Sequence, residues 1–441
     1  MKALQKISRE SINKNCLKII SIKRLVKLLL ILCCFIFSNT LSAQKLSDST
    51  LPKKIVSSVS VPVVNDMDAN DFLKKIFKGK HQPKDSGAVK AKKIYATFFP
   101  AVGYTLQTEL AAIMSVGLAF YTDTAANQKL SNLLTSATYT EYNQFLFPIA
   151  ADIWTKKNKF NIIFDYRFLK YPSTTYGLGA RTKETDAYIL DFNYIKLHQT
   201  VLKKIHKNLY AGIGFYYDYF WNITEVNPPT GVTTSFQKYS HGKQTETGAG
   251  IAFRLLYDSR QNQINPTNGS YFNIVYRPNY TFLSSDGNWQ SLQIDYRRYL
   301  KLFGSTKNVL ALWSFDWFTL GKTKPPYLLL PSTGWDDQYN TGRGYIQSRF
   351  KARDMIYLEA EYRFGITNNG LLGAVIFANA QSFSRNLPNQ ISSNQIFLIS
   401  PGFGAGLRIK LNKYSNTNLC VDYGFGLNGS KGLFLNLGEV F

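Results

Sequence analysis

The chain has 441 residues and a formal net charge of +24, with 15% aromatic and 18% charged residues. This composition excludes a disordered chain, which is poor in aromatic residues, and a helical membrane bundle, which needs apolar segments of about 20 residues. It is typical of a β-barrel whose alternate residues face hydrocarbon and water. The basic residues are scattered among aromatic segments, which favours outer-membrane lipid and lipopolysaccharide as partners and indicates no nucleic acid.

Residues 1–43 are predicted to be a signal peptide. Lys23, Arg24 and Lys27 precede an apolar run, Leu28 to Phe37, and small residues end the segment at Ala43. The alternative, a single membrane-anchoring helix, would need about 20 apolar residues, and this run is too short.

Residues 44–93 are predicted to be a periplasmic basic tail or linker with weak structure, because they carry 11 Lys against 5 Asp. Three of the four cysteines lie in the leader, which leaves Cys420 in the mature chain. No disulfide, cysteine metal site or cofactor is therefore predicted.

From Ile94 onward the chain consists of segments of ten to fourteen residues with period-two alternation, separated by turn residues. Sixteen such segments predict an all-β fold, a 16-stranded transmembrane antiparallel outer-membrane β-barrel over residues 94–441. The longest predicted connections follow odd-numbered strands, as expected when both ends of the barrel chain are periplasmic. They are 169–186, 222–243, 320–352 and 382–397.

The alternation assigns side chains to the two faces of each predicted strand. In 353–364 it places Glu359 and Glu361 on the lumenal face, and in 417–426 it does the same for Asp422. In 187–198 the apolar and aromatic residues share one face opposite Asp191 and Asn193, so we expect them to face lipid; they are Tyr188, Leu190, Phe192 and Tyr194.

Pro148 lies inside the fourth predicted strand, where it removes a ladder donor.

A series of short motifs follows the eighth predicted strand. The turn after that strand contains Asp258 and Arg260, followed by Pro266 and Gly269. The long loop before the twelfth strand contains Gly342-Arg343-Gly344-Tyr345. Further motifs are Glu361-Tyr362-Arg363-Phe364, Gly402-x-Gly404-x-Gly406-x-Arg408, Asp422-Tyr423-Gly424 and Gly438-Glu439-Val440-Phe441.

In this order and at these strand positions, the motifs resemble the sixteen-stranded barrel of the bacterial surface antigen superfamily, which includes BamA, TamA and two-partner secretion transporters. The resemblance implies that the loop before the twelfth strand folds into the lumen, where its Arg-Gly-aromatic tip contacts the wall. It also implies a barrel-only member, since members such as BamA carry periplasmic domains of some 75 to 80 residues and only 50 residues separate the leader from the barrel.

Arg343 is the candidate centre of this lumenal contact, because a guanidinium in a confined lumen needs carboxylate partners. Glu359, Glu361 and Asp422 are the predicted partners. The family's wall aspartate maps onto Asn379, an amide that could still accept a hydrogen bond, and Gln381 replaces the family's glycine. The alternative is that Arg343 is an ordinary exposed loop arginine beside a glycine turn.

The end of the chain resembles the carboxy-terminal signal of outer-membrane barrels. In the period-two alternation, Phe441 falls on the same face as Leu433, Leu435 and Leu437, and Gly438 directly follows Leu437. The alternative is a last strand that simply ends in an aromatic girdle. Pro100 in the first strand predicts weak pairing with the last strand, a seam that resembles the family's lateral gate.

The chain is not expected to be an enzyme. Its four histidines are scattered, no nucleophile has a recognisable setting, and no zinc or phosphate-binding spacing occurs.

The resemblance implies insertion, assembly or translocation of proteins at the bacterial outer membrane, with other outer-membrane proteins or periplasmic factors as further partners. Two alternatives stay open. The first is a passive outer-membrane pore, and the second is a non-catalytic barrel subunit of a larger complex.

Overall fold

The computed structural model of the chain describes residues 66–69, 71–72, 94–105, 109–125, 128–384 and 398–441. The predicted signal peptide and most of the predicted tail lie outside the described residues, so both assignments stay predictions.

The described chain is an antiparallel β-structure, which confirms the predicted fold class. Sixteen strands are long, and a further one, β6, has three residues inside the predicted 169–186 loop. The strands are β1 (Ile94–Thr105), β2 (Glu109–Phe120), β3 (Ser131–Thr140), β4 (Phe145–Trp154), β5 (Phe160–Lys170), β6 (Ser173–Thr175), β7 (Tyr188–His206), β8 (Leu209–Val226), β9 (Thr245–Asp258), β10 (Gly269–Asn279), β11 (Trp289–Lys301), β12 (Val309–Leu320), β13 (Asp354–Gly365), β14 (Leu372–Phe383), β15 (Leu398–Asn412), β16 (Thr417–Phe425) and β17 (Lys431–Leu437).

Apart from Ala69, Asp71 and Phe72 of the tail segment, the helical structure of the described residues lies in the connections. One six-residue α-helix spans Ser235–Ser240, and single turns of 3₁₀-helix span Lys156–Asn158, Glu184–Asp186, Thr281–Leu283, Tyr327–Leu329 and Leu427–Gly429. Within the described ranges, no helix is long and apolar enough to cross a membrane.

Each long strand pairs with the next long strand along the chain, from β1 with β2 to β16 with β17. β6 does not interrupt this order, because β5 and β6 both pair with β7. The described residues show no ladder between β1 and β17, so backbone pairing does not close the sheet. Pro100 lies in β1 opposite Met114 of β2, on the strand whose other edge carries no ladder.

The long strands β7 and β8 correct one assignment of faces. Tyr188, Leu190, Phe192 and Tyr194 are buried, between 1% and 5% exposed, and form a core cluster with Leu329 and other residues of the connection between β12 and β13. β7 has 19 residues, about 60 Å at 3.3 Å per residue, which exceeds an apolar band of about 25 Å. The prediction that this apolar face contacts lipid is therefore wrong, because a folded-in loop covers it.

Pro148 is accommodated at a gap in one ladder. The β3–β4 pairing runs through Thr135 with Ile149 and resumes at Thr138 with Leu146, and it skips the position of Pro148. The Thr135 hydroxyl donates to the Pro148 carbonyl at 2.9 Å. The ladder is thus interrupted where proline has no amide hydrogen to donate, and a side-chain hydroxyl satisfies the Pro148 carbonyl at the gap.

A short segment of the predicted tail contacts the turns at the end of the barrel where the connections are short. Asp66 forms an ion pair with Lys410 at 3.3 Å, and Asp71 forms one with Lys413 at 2.8 Å. The amide of Met67 donates to the carbonyl of Asn369 at 2.8 Å. Carboxylates of the tail thus neutralise two of the basic residues at this end.

Candidate functional site

The connection between β12 and β13, residues 321–353, turns into the lumen. Its first contact with the wall is made by the 3₁₀-helix Tyr327–Leu329, which is buried against the β7 cluster. The carboxylate of Glu246 in β9 accepts the amide hydrogens of Tyr327 and Leu328 at 3.0 and 2.9 Å. A buried carboxylate therefore satisfies two amides that the short helix leaves free.

The tip of this lumenal loop is shaped by two glycines. Gly342 and Gly344 have φ angles of 79° and 108°, which side-chain-bearing residues rarely adopt. A Cβ atom on Gly344 would lie 2.5 Å from the carbonyl oxygen of Phe425. The backbone can therefore reach the wall at β16 because this position has no side chain.

Arg343 lies between these glycines and is fully buried. Its guanidinium donates to Glu359 and Glu361 of β13 through Nη2, and to Oδ2 of Asp422 in β16 at 2.6 Å through Nη1. Its Cζ atom lies 3.7 Å from the ring centroid of Phe377. Burial acts to lower the pKa of Arg343, but the three carboxylates outweigh it, and the pKa is raised above its ordinary value.

The structure thus brings Arg343 together with the three acids assigned to it from sequence. The contact of Arg343 with Glu359, Glu361 and Asp422 is called the Arg343 anchor below.

Asn379 contributes to the anchor in a different way from that expected. It touches the backbone of Arg343 rather than the guanidinium, and its Nδ2 donates to the Arg343 carbonyl at 2.9 Å. The amide acts as a donor here, since the carbonyl oxygen of Arg343 can only accept. An ionised aspartate could not make this bond, which gives a physical reason for the amide here. Gln381 accepts from the Thr333 hydroxyl at 2.9 Å.

Tyr345 fixes the far side of the tip. Its hydroxyl donates to the carbonyl of Pro401 in β15 at 2.6 Å and accepts the amide hydrogen of Leu427 at 3.0 Å. Its ring packs edge-on against Phe350, with 5.7 Å between the centroids. The three tip residues Arg343, Gly344 and Tyr345 therefore contact the wall through a charged group, the backbone and a hydroxyl group, respectively.

A second layer of charges surrounds the Arg343 anchor. Arg363 pairs with Glu361 at 2.8 Å, and Arg408 pairs with Asp422 and, at 2.8 Å, with Glu439. Three arginines and four carboxylates thus share this part of the lumen. Because each acid contacts at least one cation, the desolvation cost of the cluster is offset by pairing.

The end of the chain is part of this layer. β17 ends at Leu437, and Gly438, with a φ of 93°, directs the last residues inward. Phe441 is 2% exposed, with its ring 5.1 Å from that of Trp313, and its oxygen accepts from Arg363 at 3.1 Å. The expectation that Phe441 continues the alternation of Leu433 and Leu435 is therefore wrong, because Phe441 leaves the sheet after β17 ends.

A second charged contact of the loop was not found from sequence. The carboxylate of Asp337 lies 2.9 Å from the Lys196 ammonium, which also contacts Asp165 at 2.6 Å. Arg167 pairs with Asp165 at 2.7 Å and donates to the backbone carbonyl of Asp337. We call this set, Asp337 with Lys196, Asp165 and Arg167, the Asp337 anchor. The available signal was the inward alternation of Arg167 and Lys196 on neighbouring strands.

The predicted turn motif lies at the end with short connections. Asp258 pairs with Arg260 at 3.0 Å and with Lys129 at 3.1 Å, and the Arg260 Cζ atom lies 4.3 Å from the Tyr271 ring centroid. Gly269 has a φ of 103°, and a Cβ atom there would lie 2.7 Å from the Ser259 carbonyl. Pro266 is buried in the same turn. Within the described residues no ion pair joins Asp258 or Arg260 to the Arg343 anchor. The turn does meet the surrounding charge layer, because the amide of Glu439 donates to the carbonyl of Ile264 at 2.9 Å.

The ordered motifs, the antiparallel strands and the folded-in loop can now be compared with known families. A family model described as the Omp85 superfamily domain matches residues 105–430. This chain belongs to the Omp85 superfamily. The predicted resemblance to the family that contains BamA is thereby confirmed, together with its location, the bacterial outer membrane.

Solved structures of Omp85 barrels are similar to this chain. CdiB from Escherichia coli has a TM-score of 0.51 and 8% identity over 79% of this chain and 63% of its own. BamA from Haemophilus ducreyi lacking POTRA domains 1-3 has a TM-score of 0.48 and 13% identity over 78% of this chain and 70% of its own. CdiB from Acinetobacter baumannii has a TM-score of 0.47 and is 14% identical in sequence. The match covers 79% of this chain and 60% of the CdiB chain.

This chain therefore spans less than two thirds of either CdiB chain. The likeness to CdiB from Escherichia coli shows a shared fold. No curated protein matches the sequence.

Proposed function

We propose that this Omp85 barrel inserts proteins into the outer membrane or exports them across it. Membership of the superfamily supports protein assembly or translocation at the outer membrane. The finer proposal is that this chain handles polypeptide clients through its lumen and the seam between β1 and β17, without enzymatic catalysis.

The observation that carries the proposal is the Arg343 anchor. A guanidinium with no exposed surface and three carboxylate partners holds the lumenal loop across the interior. A barrel that only conducts solutes does not need a buried charge network that holds a loop inside its lumen. In this proposal the loop exchanges between a docked and an undocked arrangement, and a client selects the undocked one.

The proposed activity can be tested with purified barrel reconstituted in liposomes. Folding of an added unfolded barrel client is followed by its heat-modifiable gel mobility, for the wild-type protein, Arg343→Ala and the control Arg181→Ala. Arg181 is an exposed arginine of another extracellular connection with no ion pair among the described residues. We expect the wild type and the control to accelerate client folding, and Arg343→Ala to lose most of this acceleration.

The two alternatives make different predictions. A passive pore would give large, steady conductance in the wild-type protein and no acceleration of client folding. A plugged barrel gives small conductance that grows in Arg343→Ala. A barrel that only docks into a larger complex would show neither activity alone and would copurify with other membrane proteins. No acceleration by the wild-type protein would contradict autonomous insertion.

A further inference from the structure

Two neighbouring turns at the end of the barrel with short connections carry a cluster of exposed lysines. The β4–β5 turn contributes Lys156, Lys157 and Lys159, and the end of β7 with the turn after it contributes Lys203, Lys204 and Lys207. The amide of Lys204 donates to the carbonyl of Lys159 at 2.9 Å, so the two turns are in direct contact. We call these six residues the periplasmic lysine patch.

The charge of this patch is not neutralised within the described residues. No ion pair joins any of the six ammonium groups to a carboxylate there, whereas Lys410 and Lys413 at the same end pair with Asp66 and Asp71. Six like charges on two touching turns repel one another, so the arrangement is unfavourable unless an anion binds. At this end of the barrel, carboxylates thus neutralise Lys410 and Lys413, whereas the described residues provide no carboxylate partner for the periplasmic lysine patch.

The side chains beside the patch are apolar and face outward. Val201, Ile205 and Ile213 are 48%, 62% and 62% exposed. Phe160 pairs in register with Lys203, and the Lys159 ammonium lies 5.6 Å from the Phe160 ring centroid. Lysines next to an outward apolar band occupy the level of the lipid headgroups, where their stems cover hydrocarbon and their ammonium groups reach phosphate.

The orientation of the barrel selects the leaflet. Short connections of outer-membrane barrels are periplasmic, and Lys207 lies in the turn between β7 and β8, which has two residues. The patch therefore meets the periplasmic leaflet.

We propose that the periplasmic lysine patch binds an anionic phospholipid, with the phosphate held by the ammonium groups and the acyl chains lying along Val201, Ile205 and Ile213. Clusters of four to eight basic residues at a membrane surface have this affinity for acidic lipids. An acidic polypeptide is the competing partner, but it would not require the outward apolar band.

The experiment compares the association of spin-labelled phosphatidylglycerol and phosphatidylcholine with the full barrel in phosphatidylcholine vesicles. The test variant is K156Q/K157Q/K203Q/K207Q. The matched control, K170Q/K238Q/K243Q/K322Q, removes the same number of exposed lysines from the opposite end of the barrel. All of these side chains are exposed, and heat-modifiable mobility verifies that each variant is folded.

We expect the wild type and the control to prefer phosphatidylglycerol, and the test variant to lose roughly five- to tenfold of that preference. High salt should reduce the preference, and inorganic phosphate at constant ionic strength should not, because a free anion lacks the acyl chains. Equal association of the two lipids with the wild type would overturn the proposal, as would a preference that survives in the test variant. Lysine-dependent binding of polyglutamate without any lipid preference would assign the patch to an acidic polypeptide instead.

Discussion

The two anchors of the lumenal loop are built with opposite polarity. In the Arg343 anchor the loop supplies the cation and the wall supplies three carboxylates. In the Asp337 anchor the loop supplies a carboxylate, and the wall supplies two cations, Lys196 and Arg167, with one carboxylate, Asp165. The two loop residues are six positions apart, so the tip carries a short charge dipole. A wall that is acidic at β13 and β16 and basic at β5 and β7 admits this dipole in one orientation.

The anchors also differ in their access to water. The side chains of Arg343 and its three partners are fully buried, whereas the Asp337 side chain is 70% exposed to the lumen. Electrostatic energy is larger and less screened in the buried cluster. The Arg343 anchor should therefore decide whether the loop docks, and the Asp337 anchor should adjust how it lies.

Removing the cation of the buried anchor should have the largest effect. Arg343→Met leaves Glu359, Glu361 and Asp422 facing one another, and a buried pair broken on one side costs about 3–5 kcal/mol. The free energy of unfolding in lipid vesicles, measured by urea titration, should fall by that amount. Arg181→Met should leave it unchanged, and equal midpoints for the two variants would contradict the assignment of Arg343 as the main anchor.

Forcing the tip backbone away from the wall should cost less. Gly344→Ala places a methyl group 2.5 Å from the Phe425 carbonyl at a φ of 108°, and we expect a loss of about 3 kcal/mol. Gly231 is a matched control, because its φ is 73° and nothing lies within 4 Å of the added carbon. The difference in unfolding free energy between Gly344→Ala and Gly231→Ala measures the cost of the clash with the Phe425 carbonyl. Similar losses of unfolding free energy in both variants would show that the positive φ angle alone causes the loss.

The loop also carries a buried lysine that makes docking depend on pH. Burial lowers the pKa of Lys351 to about 8 from an ordinary value of 10.5, against an opposing contribution from Glu246. Between these values the folded protein has released a proton that the unfolded chain keeps, so the free energy of unfolding rises with pH. We expect a gain of about 2 kcal/mol from about pH 7.5 to about pH 9.5.

The variant Lys351→Met provides the reference for this measurement. Its unfolding free energy should lack that rise. The difference in unfolding free energy between the wild type and Lys351→Met should therefore change between about pH 7.5 and about pH 9.5. A difference that stays constant with pH would contradict a lowered pKa at this site.

The exposed anchor should show the smallest effect. Asp337→Asn should cost about 0.5–1 kcal/mol, because water screens a carboxylate that is largely accessible. The loss should vanish in about 1 M salt, whereas the loss caused by Arg343→Met should persist. The rate of protease cleavage of the loop, measured at low salt and at about 1 M salt in each variant, would report the two anchors separately. An equal effect of salt on the cleavage of Asp337→Asn and Arg343→Met would contradict the difference between the anchors.

The buried anchor could be predicted from sequence because its residues lie in local patterns. Alternation places Glu359, Glu361 and Asp422 on the lumenal face, and two glycines flank Arg343 in the loop. An inward acid in a barrel has few partners other than a basic residue of the lumen. The chemistry of the site therefore followed from face assignment and from the resemblance of the motifs.

The rest depended on tertiary contacts that no local pattern contains. Alternation distinguishes the two faces of β7 without saying which is inward, and the loop that covers Tyr188 and Phe192 is distant in sequence. The inward position of Phe441 does not follow from alternation, because the turn at Gly438 depends on Arg363 and Trp313, which contact Phe441 from distant strands. Asp337 lies in no recognisable sequence motif, so its contact with Lys196 could not be predicted from the sequence.

The sequence separation of the loop contacts implies an order of folding. Arg343 and Asp422 are 79 residues apart, Asp337 and Lys196 are 141 apart, and Leu328 and Glu246 are 82 apart. Contacts of this kind form late, because the entropy of closing each long segment must first be overcome. The loop cannot take its place until strands from both halves of the sheet are present, so an occupied lumen reports that β7, β9 and β16 have already assembled around it.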